Sequence, residues 1–345
     1  MNTMKGPAFR LHELAFRTQY AELKERVRST PQLLPGTPGT LVKREGTGRA
    51  YWYRVYQGAT GKQLESLVCR DADEATLAQA SDQLDFSKWV GTQVRTLRKL
   101  DFQVADKGVA LVLVELHNAG LLGAGLCLVG TLGYMAMLNE LGASAVTART
   151  LDIDLATGLR LKLAAPQSYL EVLGATKMGF LPVPGLRRHA PASSVKLPGA
   201  DGLRIDLLTH GETTGQSVAI AQLQWHAQTV PHYDYLLVDL REAAALAGMQ
   251  CIPVKLPASE RFMWHKLFSS AVRKSSPEKA AKDLRQGATL AAVLTQDDSE
   301  LLPDSVAELP AAMRRVLVRQ KRAILLELVD QPAAHDAIQR ALAKP

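Results

Sequence analysis

Residues 128–155 constrain the fold more than any other part of the chain. This stretch reads LVGTLGYMAMLNELGASAVTARTLDIDL and ends with Asp152 and Asp154 alternating with apolar residues. On a β-strand successive side chains point to opposite faces, so both carboxylates share one face and the apolar residues share the other. Neighbouring carboxylates repel each other, and burying them is costly unless a cation compensates. The pattern therefore predicts a divalent-metal site, with Mg²⁺ as the first candidate because it prefers oxygen ligands.

The beginning of the same stretch supplies groups that bind phosphate. Gly130 ends a strand-like apolar run, and Thr131 begins a helical segment. Free backbone N–H groups at a helix N-terminus attract anions, and a glycine there lets an anion approach the backbone closely. Taken alone, the glycine and threonine are typical of a turn with an N-cap, and the two acids are compatible with a solvated edge strand. The order of these features along the chain, with the glycine and threonine first, then a helix and then the acidic strand, favours a nucleotide site.

These motifs resemble the DNA polymerase β-like nucleotidyltransferases. That superfamily has a Gly-Ser or Gly-Thr helix start, then two acids on an apolar strand, then a third acid on a neighbouring strand. Asp206, between Ile205 and Leu207, fits the third element. The pattern is similar to a bacterial branch, the AbiEii-type toxin nucleotidyltransferases, over about residues 39–294. Many superfamily members carry serine where this chain has Thr131, so the hydroxyl is kept and a methyl group is added.

The resemblance implies an α+β fold. It predicts a polymerase β-like nucleotidyltransferase core, in which helices pack on a small mixed sheet, together with a small N-terminal β region and a C-terminal helical region. The predicted segments are an N-terminal helix and linker (1–38), a three-stranded β region (39–72), a helical linker (73–120), the nucleotidyltransferase core (121–257) and a C-terminal helical region (258–345).

The resemblance also implies a site for two Mg²⁺ ions and a nucleoside triphosphate. One ion, held by Asp152 and Asp154, binds the triphosphate, and a second, shared with Asp206, activates the attacking hydroxyl. Asp206 is then the nearest candidate base. The predicted nucleotide-binding residues are Gly130, Thr131, Lys266 and Asp283. The last two match a lysine and an aspartate of the toxin branch; the alternative is a surface lysine and an ion pair within one helix.

The predicted reaction moves a nucleoside monophosphate from a nucleoside triphosphate to a hydroxyl acceptor. An RNA, with a tRNA end as first candidate, is favoured as acceptor by the formal net charge of +7 and by the resemblance, which also suggests an antitoxin partner. Two alternatives stay open. One is a non-catalytic nucleic-acid-binding or toxin–antitoxin interaction protein that keeps the fold. The other is a transferase acting on a small-molecule or protein hydroxyl.

An aromatic and basic segment near the N-terminus predicts a small antiparallel sheet, with strands TLVKREG, RAYWYRVYQG and KQLESLV. One face of the middle strand carries Tyr51, Tyr53 and Val55, and the other carries Trp52, Arg54 and Tyr56. The nearby basic residues are Lys43, Arg44, Arg49 and Lys62. Aromatic and basic residues together bind single-stranded nucleic acid. The alternative is that the aromatic residues only hold together a sheet too small for its own core.

Two later segments complete the predicted sheet. Residues 193–208 predict a hairpin with its turn at 199–202, which delivers Asp206 to the sheet. The apolar runs YLLVDL (235–240) and MQCIPVKLP (249–257) are predicted to extend the sheet or pack on it. Arg187, Arg188 and Lys196 lie near the hairpin, and we favour a solvated basic loop over a polynucleotide contact.

Composition favours a reduced, cytoplasmic protein. The 345 residues are 47% hydrophobic and 22% charged, which is ordinary for a globular chain. Cys69, Cys127 and Cys251 are odd in number and widely separated, which argues against a disulfide framework. The N-terminus lacks the apolar core of a signal peptide. The uncharged run 118–139 is long enough for a membrane helix, but its five glycines favour a buried strand-turn-helix, so no membrane contact is predicted.

Overall fold

The computed structural model of the chain describes residues 9–46, 48–58, 61–147, 150–158, 160–185 and 190–343. The strands are β1 (Phe9–Leu11), β2 (Thr40–Gly46), β3 (Arg49–Gln57), β4 (Gln63–Arg70), β5 (Cys127–Val129), β6 (Ala143–Ala145), β7 (Asp152–Ala156), β8 (Leu181–Val183), β9 (Ser194–Lys196), β10 (Arg204–His210), β11 (Ser217–Ile220), β12 (Trp225–Val230), β13 (Leu240–Ala247) and β14 (Gln250–Pro257). The helices are α1 (Leu14–Arg28), α2 (Glu74–Lys99), α3 (Lys107–Asn118), α4 (Gly130–Glu140), α5 (Tyr169–Gly174), α6 (Tyr233–Leu236), α7 (Ser259–Val272), α8 (Pro277–Asp297), α9 (Leu301–Ser305), α10 (Ala311–Glu327) and α11 (Pro332–Ala341). The predicted α+β class is confirmed.

The main sheet is mixed and larger than predicted. Its strand order is β11-β12-β10-β7-β5-β14-β13, with β9 paired to β10 and β8 paired to β9. The run MQCIPVKLP forms β14, as predicted, and adds to the sheet. Of the two alternatives for YLLVDL, packing on the sheet is confirmed, because α6 and a turn occupy most of the run, α6 contacts β10, and β13 begins only at Leu240.

The acidic strand β7 lies inside this sheet and alternates as its sequence predicts. Ile153 and Leu155 are fully buried on one face, while Asp152 and Asp154 point to the other. Strand β10 runs parallel to β7, with Asp206 directly opposite Asp154. Residues opposite each other on neighbouring strands share a face. The three predicted carboxylates therefore meet on one face of the sheet.

A hairpin brings Asp206 to this position, as predicted. Strand β9 pairs antiparallel with β10, and the backbone N–H of Leu197 donates to the carbonyl of Leu203 across the turn. Lys196 Nζ donates to the Ala200 carbonyl at 2.9 Å, so this lysine stabilises the turn. Arg187 and Arg188, assigned to a basic loop, lie outside the described residues.

One hydrophobic cluster extends through most of the chain. It includes Leu23 of α1, Val112 of α3, Leu317 of α10 and Ile338 of α11, together with the main sheet. The predicted strand-turn-helix at 118–139 lies in this core as β5 and α4. No helix in the described ranges is long and apolar enough to cross a bilayer. The division into five segments stays a prediction. One hydrophobic cluster connects these segments, and only the small sheet at 40–70 contributes none of its described residues to it.

Strands β2, β3 and β4 form that small antiparallel sheet. The pairing confirms the predicted faces, with Tyr51 opposite Arg44 and Tyr53 opposite Val42. Arg54, on the other face, is buried, and its guanidinium donates to the carbonyls of residues 35, 37 and 38. It also stacks on the Tyr56 ring at 4.0 Å. Arg54 therefore fixes residues 35–38 to the sheet and is not available to nucleic acid.

Candidate active site

A cleft of about 500 Å³ lies between the main sheet and helices α7 and α8. It contains every residue that the sequence assigned to the site: Gly130, Thr131, Asp152, Asp154, Asp206, Lys266 and Asp283. These residues come from distant segments of the chain, and the fold collects them. The cleft is therefore the candidate active site.

Gly130 and Asp154 are in direct contact at the start of α4. Gly130 has a φ of +65°, and a Cβ atom at this position would lie 1.8 Å from Asp154 Oδ2. A side chain is excluded here both by the left-handed backbone and by the carboxylate. Val129, the N-cap, gives the first N–H groups of α4 no side-chain cap within the described residues. The N-terminus of α4 and the acidic strand thus form one surface.

The Asp154 carboxyl is buried beside a second carboxylate. Burial raises the pKa of its carboxyl to about 6, and the charge of Asp206 adds to the rise. Lys266 and Lys282 oppose this rise without cancelling it. A divalent cation would favour the ionised carboxylate and relieve the repulsion.

Asp206 and Asp152 are partly engaged by basic residues. Arg204 Nε donates to Asp206 Oδ1 at 2.8 Å, and the hydroxyl of Ser194 donates to the same oxygen. Lys279 Nζ lies 3.9 Å from Asp152 Oδ2. Across the described ranges, no three His, Cys, Asp or Glu side chains form a ready-made metal cluster. The contacts of Asp206 fall on one oxygen, so its second oxygen can still bind a cation.

Lys266 and Asp283 form a buried ion pair across two helices. Lys266 Nζ on α7 donates to Asp283 Oδ1 on α8 at 2.9 Å, and the two residues are 7% and 4% exposed. Arg273 Nε approaches the other oxygen of Asp283 at 3.2 Å. The alternative of a surface lysine and an intrahelical ion pair is wrong. Asp283 holds two cations toward the cleft.

Lys282 is a cleft residue that the sequence analysis did not assign to the site. Its Nζ donates to Thr131 Oγ1 at 3.0 Å, which places an ammonium beside the N-terminus of α4. Burial and the charge of Lys266 lower the pKa of this ammonium. Its position three residues after Lys279, on one face of α8, was the available sequence signal. Nothing local linked it to Thr131, since the two residues are 151 positions apart.

The cleft lining also includes a group of aromatic rings that are uncharged at neutral pH. Tyr233 and His265 meet edge to face with ring centroids 5.1 Å apart, and Phe268 lies next to them. Burial lowers the pKa of His265 to about 4, so its imidazole is neutral at pH 7. Flat apolar rings of this kind can contact a nucleobase.

Comparison with known proteins identifies the family. A family model described as nucleotidyltransferase matches residues 107–311, which is more than half of the chain and includes all the cleft residues named above. Neither the curated proteins nor the solved structures include a match. The chain therefore belongs to this nucleotidyltransferase family and is a nucleotidyltransferase.

Proposed function

We propose that the protein moves a nucleoside monophosphate from a nucleoside triphosphate to a hydroxyl acceptor, with Mg²⁺, on a polymerase β-like core. The observation that carries this proposal is the opposite charge of the two cleft walls. The sheet wall contributes Asp152, Asp154 and Asp206, and the α7–α8 wall contributes cations such as Lys266 and Lys282. A triphosphate with divalent cations is complementary to both walls, because its phosphates match the cations and the metal ions match the carboxylates.

The donor set fits Mg²⁺. Asp152, Asp154 and Asp206 offer only oxygen ligands, which this ion prefers. The raised pKa of Asp154 supports the same assignment, since it comes first from burial of the carboxyl and then from the charge of Asp206, and a bound divalent cation would favour the ionised form against both. When bound, Mg²⁺ would neutralise charge on the departing pyrophosphate and make the acceptor hydroxyl easier to deprotonate.

The side chains of the chain have separate functions in this proposal. Lys282, the Thr131 hydroxyl and the first N–H groups of α4 bind the phosphates. Asp283 holds the Lys266 ammonium in the cleft, where it offsets phosphate charge. Arg204 and Ser194 orient the Asp206 carboxylate, which accepts the proton of the attacking hydroxyl.

RNA, with a tRNA end as the first candidate, is the proposed acceptor. The net charge of +7 supports a polyanionic partner, and the motifs resemble the AbiEii-type toxin branch. In keeping with that branch, an antitoxin partner is part of the proposal. The free cysteines Cys69, Cys127 and Cys251 are compatible with a reducing compartment, and we propose the cytoplasm.

Labelling tests this function. The protein is incubated with Mg²⁺, total RNA and each α-labelled nucleoside triphosphate in turn, and the products are separated by size. We expect label on RNA from at least one triphosphate, and none with the Asp152→Asn/Asp154→Asn double variant. Label on a small molecule or a protein would overturn the RNA acceptor. A complete lack of transfer, with the protein folded, would overturn the proposed reaction.

Asp206→Ala is expected to lower turnover by about 100-fold or more while changing the Kd for the triphosphate less than about 3-fold. This residue serves the acceptor side, and Asp152 and Asp154 remain to bind the triphosphate side. Triphosphate binding by calorimetry is compared with single-turnover transfer. Equal losses of binding and turnover would show that Asp206 builds the whole site and has no separate acceptor function.

Lys282→Ala is expected to raise the Kd for the triphosphate by about 10- to 100-fold, because a charge-assisted hydrogen bond is worth roughly 1.5–3 kcal/mol. Lys279→Ala is the matched control, since Lys279 is one turn earlier on α8 and more exposed. It should change the Kd less than Lys282→Ala does. Equal effects would indicate that only the overall charge of α8 matters, and that the contact with Thr131 is not used.

A further inference from the structure

The small sheet has one covered face and one open face. On the covered face, Arg54 and Cys69 are buried. The open face has Leu67 at 59% exposure. Cross-strand pairing assigns to it Val42, Val55 and Glu65, together with six further residues: Arg44, Arg49, Tyr51, Tyr53, Leu67 and Arg70. We use the name open face for these six residues.

The open face combines aromatic rings with arginines, and the pairing of β3 with β4 shifts register between Trp52 and Tyr53. Tyr51 lies directly between Arg44 on β2 and Arg70 on β4, and Tyr53 follows on the same strand. Both rings are half-buried and keep a surface toward solvent. A concavity lined by Arg44, Arg49 and both tyrosines covers one end of the face. Two rings in a row on a sheet can each stack one unpaired base.

The charge of the open face matches a polyanion. Arg44 forms an ion pair with Glu65, whereas Arg49 and Arg70 have no acidic partner in the described ranges. An apolar partner surface would leave these two guanidinium groups without counter-charges, and a phosphate backbone provides them. Lys43, grouped with these residues in the sequence analysis, does not belong to this surface. It shares the covered side with Trp52 and lies 2.6 Å from Asp71.

We propose that the open face binds single-stranded RNA, with Tyr51 and Tyr53 stacking on bases and Arg49 and Arg70 contacting phosphates. The inference rests on the proposed function in one respect, that RNA is the acceptor. It adds a binding surface outside the cleft, on a separate sheet, which would hold the RNA while its end is modified. Stacking requires unpaired bases, so duplex RNA binds this face more weakly than a single strand does.

The inference is tested on the full chain by fluorescence anisotropy. The probe is a labelled single-stranded RNA of about 20 nucleotides, which is long enough to span one stacking surface. Tyr51→Ala/Tyr53→Ala should weaken binding by at least about 10-fold, because stacking on an aromatic ring contributes substantially for each base. Arg49→Ala/Arg70→Ala should also weaken binding and should reduce the slope of log K against log salt by about 1.4, corresponding to two phosphate contacts. Lys43→Ala is the matched control and should leave both quantities unchanged.

Each outcome decides the question. Undetectable binding of the wild type at low salt, unaltered binding by both double variants, or equal affinity for a duplex of the same sequence would overturn the inference. Melting temperatures establish that the variants are folded, and the arginine pair remains informative if the tyrosine pair destabilises the sheet. The assay needs no turnover. RNA that binds without becoming labelled would count against the proposed reaction alone, whereas labelled RNA with unaffected variants would count against the open face alone.

Discussion

Replacing Asp154 by asparagine is expected to reduce nucleotidyl transfer by at least about 1,000-fold, since several kcal/mol of charge stabilisation depends on its carboxylate. The protein should keep its fold, because asparagine has nearly the same shape and Ile153 and Leu155 still hold the strand in the core. Asp152→Asn is expected to act in the same direction. Single-turnover kinetics measure the loss of transfer, and circular dichroism measures whether the fold is kept.

The same substitution should stabilise the protein when Mg²⁺ is absent. The pKa of Asp154 is raised from 3.8 to about 6, so the folded state binds the proton more tightly than the unfolded state does. The ionised carboxylate therefore destabilises the fold. This penalty is absent well below pH 4, grows between pH 4 and 6, and is complete above pH 6. Asp154→Asn removes the penalty, so the variant should gain about 1–3 kcal/mol at pH 7 and little at pH 4.

Urea unfolding in EDTA at several pH values measures this difference. Asp201→Asn is the control, since it removes one carboxyl from an exposed position in the hairpin turn, outside the cleft. A wild type that gains no stability from Mg²⁺ plus a triphosphate, or an Asp154→Asn protein that unfolds, would mean that the acids are structural.

Asp283→Ala should have the largest effect on stability, a loss of about 3–5 kcal/mol, because it leaves the Lys266 ammonium buried without its partner. Triphosphate binding should be lost as well. The double variant Lys266→Met/Asp283→Leu separates these effects, since an apolar pair of similar volume restores much of the stability of a buried ion pair. Its unfolding midpoint in denaturant should lie near that of the wild type. It should still fail to bind the triphosphate.

Chemical denaturation and triphosphate binding are measured for the single and double variants together. Arg340→Ala is the control, because Arg340 and Glu300 form an ion pair at the exposed surface, and it should leave both measurements unchanged. Recovery of triphosphate binding by the apolar double variant would show that the Lys266–Asp283 pair only supports the packing of α7 on α8.

The parts of the site that depend on local pattern could be predicted from the sequence. The orientation of Asp152 and Asp154 follows from the period of a strand, whatever the strand packs against. Asp206 reached the same sheet face because a short hairpin delivered it. The position of Gly130 between a strand and a helix could be predicted, but its contact with Asp154 depends on the pairing of β5 with β7.

Elements fixed by tertiary contacts could not be predicted in this way. The alanine-rich segment of β13 favours a helix by intrinsic propensity. It is a strand because eight of its residues pair with β14, and this pairing outweighs the propensity. Strands β1 and β6 have three residues each, too few to show a period. The contact of Lys282 with Thr131 depends on how α8 lies against α4, and nothing in either segment encodes that relation alone.

The continuous hydrophobic cluster determines how this protein can be divided. All the cleft residues lie within 107–311, but Tyr20 and Leu23 of α1, together with Leu317 and Ile324 of α10, complete the same core. The Tyr20 hydroxyl also lies within hydrogen-bond distance of two acceptors, Glu140 and the Ala244 carbonyl. Excising the family segment would expose apolar side chains at roughly 1.5–3 kcal/mol each. The catalytic part is therefore not an autonomous module, and a gene fusion that transfers this activity to another protein must carry the flanking helices with it.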